Sequence, residues 1–544
     1  MAIGTASPRL LAAPRRVLRP RALAWPWSAS DMMLWLAFAG AMIAGGAARA
    51  SRVLAADFPL NDGGMFYAMM RDLQAAHLAL PEVTSYNSLS APYAYPPLGF
   101  YAGIAVAGIF HISLLDTLRF VPLAASCLCL PAFWLLASSL FPENKVGVTA
   151  ATLAFGLIPR SFIWTVMGGG LTRAPGFLFA LLAIWQIQRL LMGRPRAAHW
   201  SSLFASLTLL SHLEGAMFLA SGVVALWLAQ SRTRQAFRSI LLVAAVSAMA
   251  TAPWWVTVLA RFGPGPFVAA MHSGANGLTP VELLLSIAFR LVLAPRQTAE
   301  ATVPILGALA LLGAYIQCRR RCWLLPGWWT LIIVLEPRAA ATYAAVPEAL
   351  LAGVATSTAL PALIGRAKNL AVRRMLTVTI FGSLLAYCLW AALLAAPRPQ
   401  TELTKLVALS PGERAAMTWL AGETPASSAI LSLTPTTWET DKSAEWLPVL
   451  AHRTSVATVQ ATEWLPSTFQ IRTAWATQLA RCRQQNTGCL EQWAEANGQR
   501  FDYLYVPKQA SAISWGPLRT SLEHDSRYSL VYDGIGARIY RHAG

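Results

Sequence analysis

Long apolar runs separated by short polar stretches dominate the chain as far as residue 400. They lie at 32–48, 119–141, 146–163, 175–188, 197–211, 215–230, 239–259, 301–317, 322–335, 339–364 and 375–396. Most approach the roughly 17–25 residues that a helix needs to cross a hydrocarbon core. The pattern therefore predicts about eleven transmembrane helices in an α-helical polytopic membrane protein. Beyond 401 the run pattern stops. A helical period over 411–422 and strand-like runs at Tyr503–Val506 and Ser529–Tyr532 predict a soluble α/β domain there. Three parts result: a basic N-terminal segment 1–31, a membrane domain 32–397 with a long loop at 51–118, and a soluble domain 398–544.

Composition supports this division. The chain is 56% hydrophobic and 12% charged, whereas soluble domains carry about 25% charged residues. A net charge of +18 would ordinarily point to nucleic acid. Its placement excludes that partner. Residues 401–544 hold 13 Lys+Arg against 13 Asp+Glu, so the whole excess belongs to the first 400 residues. There it forms clusters between apolar runs: Arg9/Arg15/Arg16/Arg19/Arg21, Arg189/Arg194/Arg196, Arg232/Arg234/Arg238, Arg319/Arg320/Arg321 and Arg366/Lys368/Arg373/Arg374. Such clusters mark cytoplasmic loops.

If every cluster is cytoplasmic, each stretch between two of them crosses the membrane an even number of times. Residues 197–231 then form a hairpin turning at Ser211–Gly215. The apolar segments 98–112 and 280–294 become interfacial helices, because counting either as a span breaks the parity. The N-terminus lies in the cytoplasm and the soluble domain outside the cytoplasmic membrane. The run 32–47 followed by Ala48-Arg49-Ala50 resembles a signal peptide, but the preceding 30 residues favour an uncleaved helix.

Ionisable residues on the outer side are the candidates for chemistry. Asp57 and Asp62 fall in Asp57-Phe58-Pro59-Leu60-Asn61-Asp62-Gly63-Gly64, where Pro59 and the glycine pair preclude a regular helix. Two readings are open to Asp62. It caps the helix-compatible run Met65–Met70, or it points a carboxylate into a pocket at the membrane surface. Glu348, inside the 339–364 run and next to Pro347, needs a cavity or a polar partner, and is the residue friendliest to a transporter. No inverted repeat accompanies it, and P-loop, HExxH and GxSxG patterns are absent. In the tail, Trp438-Glu439-Thr440-Asp441, Glu445-Trp446 and Glu463-Trp464 set acids beside tryptophans, as a sugar-contacting surface does and as ordinary loop packing also does. Cys482 and Cys489 suit a disulfide in an oxidising compartment, the alternative being two buried thiols.

The layout of the whole chain resembles the GT-C superfamily of membrane glycosyltransferases, which take sugars from polyprenyl-phosphate donors. Tyr95-Pro96-Pro97-Leu98 is similar to an element of many such proteins. The stretches Phe58–Gly64, Gly168-Gly169-Gly170-Leu171-Thr172-Arg173, Glu445–Leu450 and Ser455–Gln460 resemble a group of bacterial GT-C-like membrane proteins. This likeness implies inverting glycosyl transfer to a glycan, lipid or protein acceptor. Asp62 would be the base or a ligand of a divalent metal such as Mg or Mn, with Asp57 in reserve. Arg173, Arg338 and His212 are candidate cations for the leaving phosphate, although Arg173 and Arg338 would equally anchor spans and His212 would equally satisfy a turn. Many members carry a second acid in the second outer loop. Here residues 164–173 contain none, and Glu214 is the nearest substitute, with Asp62, as a metal ligand. That departure keeps open a non-catalytic member of the fold that binds lipid-linked glycan.

Overall fold

The computed structural model describes residues 29–194, 196–273, 280–292, 294–300, 303–335, 339–390, 402–433, 437–508 and 516–543. Its helices in the first 390 residues are α1 (Ala29–Ala55), α2 (Gly64–Ala75), α3 (Leu98–Phe110), α4 (Leu114–Leu140), α5 (Lys145–Leu157), α6 (Gly170–Leu191), α7 (Ala197–Ser211), α8 (Leu213–Gln230), α9 (Arg234–Phe262), α10 (Gly265–His272), α11 (Pro280–Val292), α12 (Ile305–Arg319), α13 (Leu324–Leu335), α14 (Ala340–Ile364) and α15 (Leu370–Leu389). This is a membrane protein. Six of these helices, α4, α6, α8, α9, α14 and α15, are each long and apolar enough to span a bilayer. A seventh is counted if α5 and the turns after it form one broken span. The remaining runs read as spans also fall on helices. Of these, α7, α12 and α13, at 15, 15 and 12 residues, are short.

One apolar run is not a single helix. Residues 146–163 bend by 77° after Leu157, passing through 3-10 turns at Pro159–Ser161 and Ile163–Thr165. Proline at 159 supplies no N–H and keeps Ile158 extended, so α5 stops there. A second difference lies in α6, which begins at Gly170 rather than near 175. Pro175 falls close enough to the helix start that only the Leu171 carbonyl loses its donor. Arg173 therefore sits in a helical first turn and not in a loop.

The bundle packs α4 on α6, α6 on α7, α5 and α12 on α14, and α1 on α5. Close approach relies on small residues, as expected where lipid tails offer no hydrophobic drive. A methyl group on Gly45 of α1 would stand 2.9 Å from the Gly156 Cα of α5. Beside this contact Arg49 is wholly buried. It donates to the carbonyls of Gly45 (3.0 Å), Ser126 (3.1 Å) and Gly156 (2.9 Å) and to Ser161 Oγ (3.0 Å). Residues 48–50 are thus an interior turn of α1, pinned to the broken end of α5. Glu348 is also wholly buried, between buried Val346, Ala349 and Leu350, with the Trp329 indole beside it and Arg160 and Glu300 acting on it electrostatically.

In the tail, helices α16 (Pro411–Glu423), α17 (Lys442–Leu450), α18 (Thr468–Cys482), α19 (Thr487–Ala496) and α20 (Gly516–His524) surround a sheet. Its strands are β1 (Ala429–Ser432), β2 (Thr454–Ser455), β3 (Tyr503–Pro507), β4 (Tyr528–Asp533) and β5 (Ala537–His542), in the order β2-β1-β3-β5-β4. The β2-β1-β3 half is parallel and the β3-β5-β4 half antiparallel, with an irregularity between Leu530 and Tyr532. A disulfide joins Cys482 to Cys489, whose Cα atoms are 5.4 Å apart. The tail does not hang free of the bundle. One apolar core contains Phe58, Phe66, Met70 and Tyr86 of the long loop together with Trp446, Leu447 and Tyr505 of the tail.

Candidate active site

The site forms where the loop after α1 meets the start of α6 and the tail lies over both. Asn61 is left-handed (φ 53°) and Gly63 takes φ 121°, a region closed to side chains, so the chain reverses sharply around Asp62. Gly63, not Asp62, is the N-cap of α2, and no side chain caps that helix. The Asp62 carboxylate turns the other way. Its Oδ1 accepts from the backbone N–H of Gly169 (2.7 Å), the N-cap of α6, and its Oδ2 from Arg173 Nη1 (2.8 Å). Asp62 thus caps a helix other than its own, at a positive dipole end that favours anions.

The three glycines of the second loop make this approach available. Gly168 N–H donates to the Leu60 carbonyl at 3.0 Å, and a Cβ at 168 would lie 2.0 Å from the Asp62 carbonyl oxygen. The backbones interlock too closely for any side chain there.

Around the pair, Arg173 stacks over Trp164 at 5.5 Å, and Lys405 approaches the same ring at 5.1 Å. Two cations therefore flank one indole. Both Arg173 hydrogen bonds use Nη1, and its side chain is 24% exposed. Tyr95 OH accepts from Thr172 Oγ1 at 3.3 Å. The Tyr95 ring lies 6.1 Å from that of His212 and 5.4 Å from that of Trp464. His212 Nδ1 is 4.0 Å from Glu214 Oε2 at the α7–α8 break.

The tail closes the site from the other side. Glu445 Oε1 accepts from Gly63 N–H (2.8 Å), the Glu445 carbonyl accepts from Tyr86 OH (2.7 Å), and Trp446 Nε1 donates to the Asn61 carbonyl (3.1 Å). Asn87 exchanges both its amide bonds with Ser455, at 3.0 and 2.7 Å. Burial, then the negative charge of Asp62, pushes Glu445 up from the usual carboxylate range to about 8. Burial also raises Tyr86 well above its ordinary value.

No family model matches the chain, and no curated protein matches its sequence. Solved structures match over 95% of its length. The arabinofuranosyltransferase AftD from Mycobacteria superposes with a TM-score of 0.51 at 15% identity, the chain covering 40% of AftD. ArnT from Cupriavidus metallidurans, solved bound to undecaprenyl phosphate, superposes with a TM-score of 0.51 at 14% identity, the chain covering 99% of it. This is the GT-C fold. At such identity the likeness is one of fold, and what the site does must be argued from its residues.

Within that fold the sequence candidates separate cleanly. Asp62, Arg173, Tyr95, His212 and Glu214 are gathered in one region, and both Tyr95 and Glu214 act electrostatically on Arg173. Asp57 is elsewhere: its side chain is 63% exposed and pairs with Arg414 of α16. Arg338 lies outside the described residues. A metal site of Asp62 and Glu214 does not fit the donors present. A guanidinium occupies the Asp62 oxygen on which a cation would sit, and no cluster of three or more His, Cys, Asp or Glu exists among the described residues. Of the tail's acid-tryptophan groups, Trp446 and Trp464 are buried in cores and offer no stacking face, whereas Trp438 is half-buried, 5.3 Å from the Phe469 ring. Sequence reasoning missed Lys405 and the placement of Glu445. The Glu445-Trp446 pair was visible in the sequence, but nothing local reveals that it inserts beside Gly63, 382 residues away in the chain.

Proposed function

We propose that this GT-C protein transfers a sugar from a polyprenyl-phosphate donor to an acceptor hydroxyl, at the face of the cytoplasmic membrane that carries the tail. The observation that carries the proposal is the Asp62–Arg173 pair at the start of α6 (2.8 Å), beside a second cation, Lys405, on Trp164. A carboxylate keeps lone pairs beyond one bond per oxygen, so an acceptor hydroxyl can still bond to Asp62. As the hydroxyl oxygen attacks the anomeric carbon, its proton passes to Asp62 and the bond from that carbon to the phosphate oxygen breaks. The electron pair leaves on the polyprenyl phosphate, where Arg173 and Lys405 meet the developing charge. Attack opposite the leaving group inverts the sugar. Tyr95, His212 and Glu214 line the same region and are assigned to the sugar. The eleven-span topology, with the N-terminus in the cytoplasm and the tail outside, belongs to this proposal.

A lipid-linked-glycan binder of the same fold is the second reading, favoured by the glycines that stand where other members carry an acid. The transporter reading rests on Glu348, which is wholly buried in the bundle beside Trp329. The deciding experiment compares envelope glycans from cells carrying wild type, Asp62→Asn or no gene, at matched protein abundance. A product lost equally in the variant and the deletion supports transfer. A product lost in the deletion but kept in Asp62→Asn removes Asp62 from the chemistry, and unchanged glycans in the deletion favour the binder.

A further inference from the structure

The tail has so far only covered the site, yet one of its carboxyl groups bonds to the residue next to Asp62. Glu445 is buried, and its Oε1 takes the N–H of Gly63, the residue next to Asp62 and the one with the φ of 121°. The contact is tight: a Cβ on Gly64 would stand 2.6 Å from the Glu445 carbonyl oxygen. Trp446, Tyr86 and Asn61 fix the same stretch of α17 through the bonds described above, so Glu445 cannot swing away without undocking the tail.

We propose that Glu445 is a positioning residue of the site, holding the Gly63 turn that aims Asp62, and that it does so as a neutral carboxyl group. This role rests on the polyprenyl-phosphate reading above. The surroundings argue for the neutral form. The groups acting on Glu445 are Asp62 of the first loop, Arg173 of α6 and Glu463 of the 462–464 turn. Tyr86 faces it from the 86–88 turn, and Asp441 at the start of α17 acts on that same tyrosine. Of the groups acting on Glu445 itself one is a cation, Arg173, and Asp62 already holds it at 2.8 Å; Arg483 acts on Asp441. The ionisation of Glu445 is accordingly displaced upward to about 8, by burial first and by Asp62 second. Ionised, it would set a second negative charge beside a site that has to receive a phosphate. The tail would then act as a sensor: below that range it lets an anionic lipid in, and above it the same side chain repels one.

The test is binding of undecaprenyl phosphate to the purified full-length protein in lipid nanodiscs from pH 6 to 9.5, for wild type, Glu445→Gln and Glu445→Ala. Protection of the tail from trypsin is followed in parallel to confirm docking. With a midpoint near 8, the neutral fraction falls from roughly nine-tenths at pH 7 to one-tenth at pH 9. The ratio of wild-type to Glu445→Gln affinity should therefore drop by up to about tenfold across that interval. Taking the ratio cancels the titration of the lipid phosphate itself. Glu445→Ala, which leaves Gly63 N–H unpaired, should bind more weakly than Glu445→Gln at every pH. A constant ratio between wild type and Glu445→Gln, with the tail docked in both, overturns the role of Glu445 alone. Absence of any saturable binding by wild type at pH 7 overturns the lipid-donor reading and this role with it.

Discussion

Replacing Gly168 by alanine probes the interlock that holds the site together. The added methyl would lie 2.0 Å from the Asp62 carbonyl oxygen and 2.9 Å from its carbonyl carbon, against ordinary contacts of about 3.5 Å. Both partners are backbone, so no side chain can rotate away. One loop must retreat from the other by about 1 Å or more, and the Gly168-to-Leu60 and Gly169-to-Asp62 bonds, at 3.0 and 2.7 Å, are the first to stretch. Overpacking of this kind costs about 1–3 kcal/mol of stability, which an otherwise intact bundle tolerates. A 1 Å displacement of a reacting group costs about 10²-fold in rate. Gly168→Ala should therefore accumulate in membranes near wild-type level while glycan transfer falls by about two orders of magnitude. Gly108→Ala in α3, where a Cβ meets nothing within 4 Å, is the matched control and should leave transfer unchanged. Transfer by Gly168→Ala within about twofold of wild type would refute the argument that loop contact sets the position of Asp62.

Other consequences can be measured separately. Trp446→Ala removes a wholly buried side chain that packs 4.6 Å from the Phe58 ring and bonds to Asn61, so tail docking should weaken by about 3–5 kcal/mol, read as faster tryptic release of the tail. Arg49→Met strands the Gly156 carbonyl at the broken end of α5, removes the partner of Ser161 Oγ and should cost about 1–3 kcal/mol, seen as loss of mature protein; unchanged thermal stability would contradict the burial. The folded ionisation of Glu445 lies above its unfolded value of 4.5, so its contribution to docking is complete below pH 4.5 and is lost as pH rises through about 8. Tail stability should decline by a few kcal/mol (order of magnitude) over that window, and Glu445→Gln should flatten the decline.

Much of the fold was legible because lipid imposes a strong period on sequence. Runs such as 119–141 and 239–259 state their own identity and fall on the span-length helices α4 and α9. The exceptions have local causes: Pro159 breaks an apolar run that hydropathy reads as continuous, and Pro175 fails to delay α6 because it falls near the helix start. Within the site, Asp62 and Arg173 stood out as charges near membrane edges. Their partnership did not, since it depends on Gly168 allowing two loops to touch. Glu445 and Lys405 were harder still. A residue in the tail carries no sign of the loop on which it lands, and Trp446, open in sequence to a sugar-contacting surface or to loop packing, is wholly buried against Phe58.

The most direct test of the central claim is sugar release from undecaprenyl-phosphate-linked sugars by purified wild type, Asp62→Asn and Asp57→Asn. The account predicts that Asp62→Asn is slower by about 10²–10⁴-fold, whereas Asp57→Asn, altering an exposed acid that pairs with Arg414, keeps its rate within about twofold. Equal rates for wild type and Asp62→Asn, with turnover clearly present, would contradict it.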